Sequence, residues 1–141
     1  MASPSPEQRY ALMDRLSTYA MALDERDRAL YAGCLVKDVE IVGFGAGHYS
    51  GIDTWLDYVW SALDKFSATQ HLLGQQLATV DGDRANTRTE VQAWHQFTDD
   101  RRQFTLWGTY LSELQLIDKQ WLISRHELVL RGTAEHPPSA P

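Results

Sequence analysis

The sequence predicts an α+β fold in which N-terminal helices cover one side of a strongly curved antiparallel sheet. Three observations lead there. Apolar residues recur at helical spacing up to about Phe66, long stretches beyond Lys65 alternate apolar and polar, and tight-turn signals separate those stretches. A chain of 141 residues supplies one domain with a sizeable core. A curved sheet closed over by helices forms a cone with a pocket inside it. Residues 1–131 are expected to form this single domain, and residues 132–141, with Pro137, Pro138 and Pro141, a disordered tail.

Ser5-Pro6-Glu7 opens the first helix, because Ser5 can cap, Pro6 fits the first turn and Glu7 suits the positive helix end. Leu12, Leu16, Tyr19 and Leu23 then fall on one stripe. A second, short helix is expected over residues 26–35, with Asp27 suited to its N-cap. Residues 39–44 read as a strand broken by Gly43, Gly45 and Gly47. Residues 53–66 read as an amphipathic helix, with Trp55, Val59 and Leu63 on one side and Leu56 and Trp60 beside them. Four long strands follow, over residues 69–80, 85–97, 104–117 and 121–131. Asp81-Gly82-Asp83, the polar run 98–101 and Asp118-Lys119 turn the chain between them. In the second of these strands Ala85, Thr87, Thr89, Val91, Ala93, His95 and Phe97 share one face.

Composition excludes several classes of function. Hydrophobic residues at 43% and charged residues at 23% describe a globular chain rather than a disordered one. The longest uncharged apolar run, residues 30–36, is far short of the roughly 20 residues a membrane helix needs. Residues 1–8 lack the basic-then-apolar order of a signal peptide. Cys34 is the only cysteine, which excludes an intrachain disulfide or a cysteine-rich metal site and makes the reducing cytoplasm the expected compartment. The net charge is -6 and no basic cluster exceeds Arg101-Arg102, so neither nucleic acid nor an anionic membrane is an expected partner. Five Trp, six Tyr and four Phe can fill a core, cover an oligomer interface, or line a pocket for a flat apolar ligand. For a pocket, the expected lining is Phe44, Trp55, Phe97, Trp107 and Tyr110.

Six residues are weighed for chemistry. His71 lies on a strand and shares its face with Leu73 and Leu77; an imidazole there is either a hydrogen-bonded core group or a base near neutral pH. Asp24 and Asp27 follow the first helix. Each can serve as a helix boundary, and a carboxylate at that point can also fix the tautomer of a histidine ring. Asp27 is the more structural of the two. Tyr19, on the buried stripe, offers a neutral donor to a carbonyl or enolate oxygen, or is a core tyrosine. His95 enters the cavity if its face is the concave one. Arg125, alternating onto the face of Trp121, Ile123 and Val129, is an anion clamp or the partner of Glu90, Glu113 or Glu127. His48, His126 and His136 are weaker candidates. The glycine-rich run from Gly43 to Gly47 lacks a phosphate-loop lysine, no serine sits in a nucleophile elbow, and no histidine pair has metal-ligand spacing.

The ordered set Tyr19, Leu23-Asp24-Glu25-Arg26-Asp27, Thr69-Gln70-His71-Leu72-Leu73-Gly74, Trp94-His95-Gln96, Gly108-Thr109-Tyr110 and Trp121-Leu122-Ile123 resembles the SnoaL-like branch of the nuclear-transport-factor-2-like superfamily. The resemblance runs over residues 9–131 and is nearest to enzymes of the scytalone dehydratase, bile-acid 7α-dehydratase and hexachlorocyclohexane dehydrochlorinase type. It implies a cone-shaped barrel, assembly as a homodimer or homotrimer, and no cofactor; a metal is not expected either, on the ligand spacing above. It also implies His71 as base paired with Asp24, joined by Tyr19, by His95 of the His95-Gln96 pair, and less directly by Arg125. The sequence departs from scytalone dehydratase at Leu23 and Phe44, where that enzyme carries tyrosines, so scytalone itself is not the expected substrate. The expected function is a cofactor-independent dehydratase acting on a small, apolar, cyclic hydroxy-ketone or steroid-like compound. A double-bond isomerase or polyketide cyclase, and a non-catalytic small-molecule-binding domain, are the alternatives.

Overall fold

The computed structural model describes residues 1–45 and 47–138. Helix α1 (Pro6–Asp24) starts at a reciprocal cap: Ser5 Oγ accepts from the Gln8 backbone at 3.1 Å, and Gln8 Oε1 accepts from the Ser5 backbone at 2.8 Å. Its buried stripe is Leu12, Leu16, Tyr19 and Leu23, as the spacing predicts. Helix α2 (Arg28–Ala32) is shorter than expected. Beyond Gly33 the backbone is taken by the sheet instead, and the Cys34 carbonyl accepts from the Ile123 N–H at 2.8 Å. Strand β1 (Leu35–Phe44) follows, then β2 (Gly47–Ser50), then α3 (Ile52–Leu63). The last four strands are β3 (Phe66–Asp81), β4 (Arg84–Phe97), β5 (Gln103–Ile117) and β6 (Gln120–His136).

These form one six-stranded sheet in the order β2-β1-β6-β5-β4-β3, antiparallel except where β1 runs parallel to β6. The sheet is curved but does not close, and β2 and β3 are its edges. The core lies between its inner face and the helices, centred on Leu12, Leu16, Val39, Ile41, Leu114 and Ile123. Two expectations are corrected. Strand β2 replaces a plain glycine-rich break, because the turn at Gly45 lets His48 pair with Val42. Strand β6 also continues past Gly132 to His136, where it pairs with the start of β5, so the tail does not begin at Gly132. Residues 139–141 lie outside the described part. Among the described residues no helix is long and apolar enough to cross a membrane.

Bulges decide which residues face inward. One extra residue on β3 between Leu73 and Gln76 turns Leu77 outward, where it is 68% exposed, and Gln76 inward. One extra residue on β6 between Ile123 and Arg125 has the same effect there. On β1 the irregularity falls at Gly43, whose φ is +83°, and a Cβ at that position would lie 2.3 Å from the Leu128 carbonyl oxygen. Gly43→Ala should therefore lower stability by about 1–3 kcal/mol and displace the adjacent Phe44. Urea denaturation would test this; an unshifted midpoint would mean that the strand slips to relieve the contact at no cost.

Candidate active site

Between the helices and the inner sheet face lies a cavity of about 200 Å³, walled by Tyr19, Phe44, Trp55, His71, His95 and Tyr110 among others. Concavities of about 410 and 310 Å³ lie on the outer sheet face, around Leu77 and Arg125 and around Leu72 and Trp107. They are larger, but neither is lined by a histidine.

Asp24 is the last residue of α1, and the helix end aims its carboxylate at β3. Asp24 Oδ1 accepts from His71 Nδ1 at 2.7 Å and from Thr69 Oγ1 at 3.0 Å, and Oδ2 accepts from the His71 backbone N–H at 2.7 Å. Burial alone would raise the Asp24 carboxyl, but the hydrogen bonds from the His71 ring and backbone, the charge of His71 and the bond from Thr69 together hold it below its ordinary value. An ionised carboxylate facing Nδ1 keeps the hydrogen on that nitrogen, so Nε2 is left with its lone pair. Thr69 has a fixed direction as well. Arg26 Nη1 donates to Thr69 Oγ1 at 2.8 Å, and the hydroxyl passes its own hydrogen on to Asp24. Arg26 reaches this position from a left-handed backbone, φ 60°, and also ties down the Leu23 carbonyl at 2.7 Å. Asp27 instead caps α2, accepting from the Leu30 N–H at 2.9 Å.

His95 lies across the cavity wall from His71, with ring centroids 5.8 Å apart. Burial, then the charge of His71, lower its pKa to about 4, so it is neutral at physiological pH. Its Nδ1 sits 3.2 Å from the Phe104 carbonyl, an acceptor, which leaves Nε2 as a lone pair rather than a donor. Tyr19 is fully buried, and burial followed by Tyr31 raises its hydroxyl well above the ordinary tyrosine value. Tyr110 is raised likewise, first by burial and then by Tyr19 and Asp24. Both phenols therefore stay protonated, and Phe44 and Trp55 pack at 5.2 Å to complete the apolar wall.

Three expected site residues are corrected. Arg125 is turned to the outer face by the β6 bulge and pairs with Glu127 at 3.0 Å. Trp107 and Tyr110 are three residues apart on β5, so they face opposite sides; Tyr110 points inward and Trp107 outward. Phe97, at the end of β4, stands behind Phe66 and under the Arg102 guanidinium, at 4.9 and 4.3 Å, and does not line the cavity.

Sequence reasoning also ranked His126 low and passed over Tyr31. The bulge that expels Arg125 brings His126 inward, where it is completely buried between Tyr19, Tyr110 and Phe44. Ser112 Oγ lies 2.7 Å from its Nδ1, and burial lowers its pKa to about 3. No signal in the alternation marks that bulge. Tyr31, on α2, bonds to Tyr19 and Trp55. Among the described residues no group of three or more histidines, cysteines or carboxylates is arranged to hold a metal ion.

The family model for the SnoaL-like domain matches residues 5–127. The chain belongs to the SnoaL-like family. Its fold, N-terminal helices on a curved and unclosed sheet, is the nuclear-transport-factor-2-like cone. Similar solved structures include a candidate scytalone dehydratase of Novosphingobium aromaticivorans DSM 12444, at 24% identity and a TM-score of 0.84, covering 92% of this chain and 91% of that one. A type 2 hexachlorocyclohexane dehydrochlorinase shares 21% identity at a TM-score of 0.84, over 94% of this chain and 93% of its own. A candidate aromatic ring hydroxylase from Novosphingobium aromaticivorans shares 23% at 0.87, over 94% and 95%. No curated protein matches the chain. The solved structures carry different chemistries on one fold, so function must be argued from the site.

Proposed function

We propose that this SnoaL-like protein is a cofactor-independent lyase of the dehydratase type, acting on a small cyclic hydroxy-ketone. The observation that carries this reading is the Asp24–His71 contact of 2.7 Å inside an apolar cavity. His71 Nε2 takes a proton from the carbon next to the carbonyl while Tyr19 donates to the oxygen that becomes the enolate. Asp24 stabilises the imidazolium. The same imidazolium then returns its proton to the hydroxyl group on the neighbouring carbon. The C–O bond breaks, the enolate collapses to the conjugated ketone, and water leaves. His95, neutral and with an acceptor at Nε2, is suited to holding the substrate hydroxyl by accepting its hydrogen, not to protonating it. A cavity of about 200 Å³ favours one or two rings over a four-ring steroid. Exposed Leu72, Leu77, Trp107 and Val129 on the sheet support assembly as a homodimer or homotrimer.

The test is deuterium uptake from heavy water into a panel of cyclic ketones and hydroxy-ketones, followed by mass spectrometry. Wild type is run beside His71→Ala. Water loss or exchange should fall by about 10²–10⁴-fold in the variant at equal folded fraction. An unchanged rate removes His71 as the base. Exchange without loss of water assigns the same proton transfer to an isomerase or cyclase. Tight binding without any exchange points to a binding domain.

A further inference from the structure

Tyr31 and Trp55 are both buried against the cavity and carry polar atoms that the proposed reaction does not use. An indole N–H can only donate. Trp55 Nε1 lies 2.8 Å from Tyr31 Oη, so Tyr31 accepts at that contact. The one hydroxyl hydrogen of Tyr31 is then free to bond Tyr19 Oη, 3.1 Å away. Tyr19 accepts there, and its own hydrogen meets no acceptor among the described residues. Accepting from the indole polarises the Tyr31 O–H and so favours this direction over the reverse. Each bond also polarises the next, which strengthens the terminal donor.

We propose that Trp55 and Tyr31 are positioning residues that commit the Tyr19 hydroxyl to donating a hydrogen bond into the cavity. The site then selects ligands that present an oxygen able to accept one, a carbonyl or an enolate, and disfavours those offering only a donor at that point. This deepens the lyase reading and rests on it for the identity of the ligand oxygen. The direction of the chain is a property of the free protein and is testable without substrate.

Tyrosine labelled with carbon-13 at Cζ, in an equal mixture of light and heavy water, shows two Cζ lines for a slowly exchanging hydroxyl and one line for a fast one. Tyr31 is expected to show two lines and Tyr19 one. Tyr19→Phe should collapse the Tyr31 pair by removing its acceptor, while the Trp55 indole hydrogen stays protected from exchange. In Trp55→Phe, Tyr31 is freed to accept from Tyr19, and the slow hydroxyl should move in part to Tyr19. A slow hydroxyl on Tyr19 that disappears in Tyr31→Phe would mean the chain runs the other way, and the proposal fails. An unchanged pattern in Trp55→Phe would overturn the role given to Trp55. In the deuterium-uptake assay, Tyr31→Phe and Trp55→Phe should each lower kcat several-fold in wild type and have little effect in a Tyr19→Phe background. Full additivity in that background overturns the coupling to Tyr19. Absent turnover with the expected line pattern counts against the lyase reading alone.

Discussion

Asp24→Asn is expected to keep the fold and lower turnover by about 10²–10⁴-fold, the range a positioned general base contributes. Three hydrogens converge on this carboxylate, from Thr69 Oγ1 and His71 Nδ1 on one oxygen and from the His71 backbone on the other. An amide has a single acceptor oxygen. If that oxygen keeps Thr69 and the ring, the amide hydrogens face the His71 backbone N–H, and a part-buried donor loses its partner at a cost of about 1–3 kcal/mol. If the amide is flipped, its hydrogens face Nδ1, the ring must accept there, and its hydrogen moves to Nε2. The cavity then holds a donor where it needs a lone pair. The nitrogen-15 spectrum of the His71 ring separates the two cases, and the deuterium-uptake rate gives the size of the effect. Full turnover with the wild-type tautomer would show that Asp24 only ends the helix.

The residues that were legible in the sequence are those read within stretches that no bulge interrupts. Tyr19 sits on an uninterrupted helical stripe, so spacing placed it on the inner side, whereas Asp24 follows that stripe at the helix end and was tied to His71 only by the family resemblance. His71 and Leu73 lie between the two register shifts of β3, and both remain inward; Leu77 follows the second and does not. His95 lies on β4, whose alternation is unbroken across its pairing with β5. Arg125 and His126 exchanged places because one extra residue on β6 reverses the face of the residues after it, up to the next register shift at Arg131. No local composition announced that residue. Trp107 was avoidable, since two residues three apart on a strand cannot both line one cavity. Thr69 and Arg26 were visible as neighbours of the dyad, but their part in fixing Asp24 depends on a left-handed turn that brings the guanidinium back over the end of α1.

Acidification from pH 7 towards pH 4 is expected to remove much of the protein's stability, because two histidines are held neutral in the folded state. His95 is lowered to about 4 by burial and the charge of His71, and His126 to about 3 by burial. An unfolded histidine takes its proton near 6.5. Between about pH 6.5 and 4 the unfolded chain therefore binds up to two protons that the folded chain refuses. Stability falls as the pH falls, by about 1.4 kcal/mol per pH unit for each histidine. Below about pH 4 His126 continues alone, and Asp24, held below its ordinary value, adds a loss of the same sign as it protonates. Two such slopes across two pH units remove about 5–6 kcal/mol, a large share of the about 5–15 kcal/mol that a domain has in total. Urea midpoints at several values between pH 7 and 5 measure the slope directly. His126→Phe keeps an aromatic ring among Tyr19, Tyr110 and Phe44 but strands the Ser112 hydroxyl, so it should lower stability by a constant amount while roughly halving the slope. That separation of offset from slope distinguishes titration from packing. A wild-type midpoint that stays level over this range would mean that water reaches both rings, and the dry interior on which the proton transfer at His71 depends would have to be given up with it.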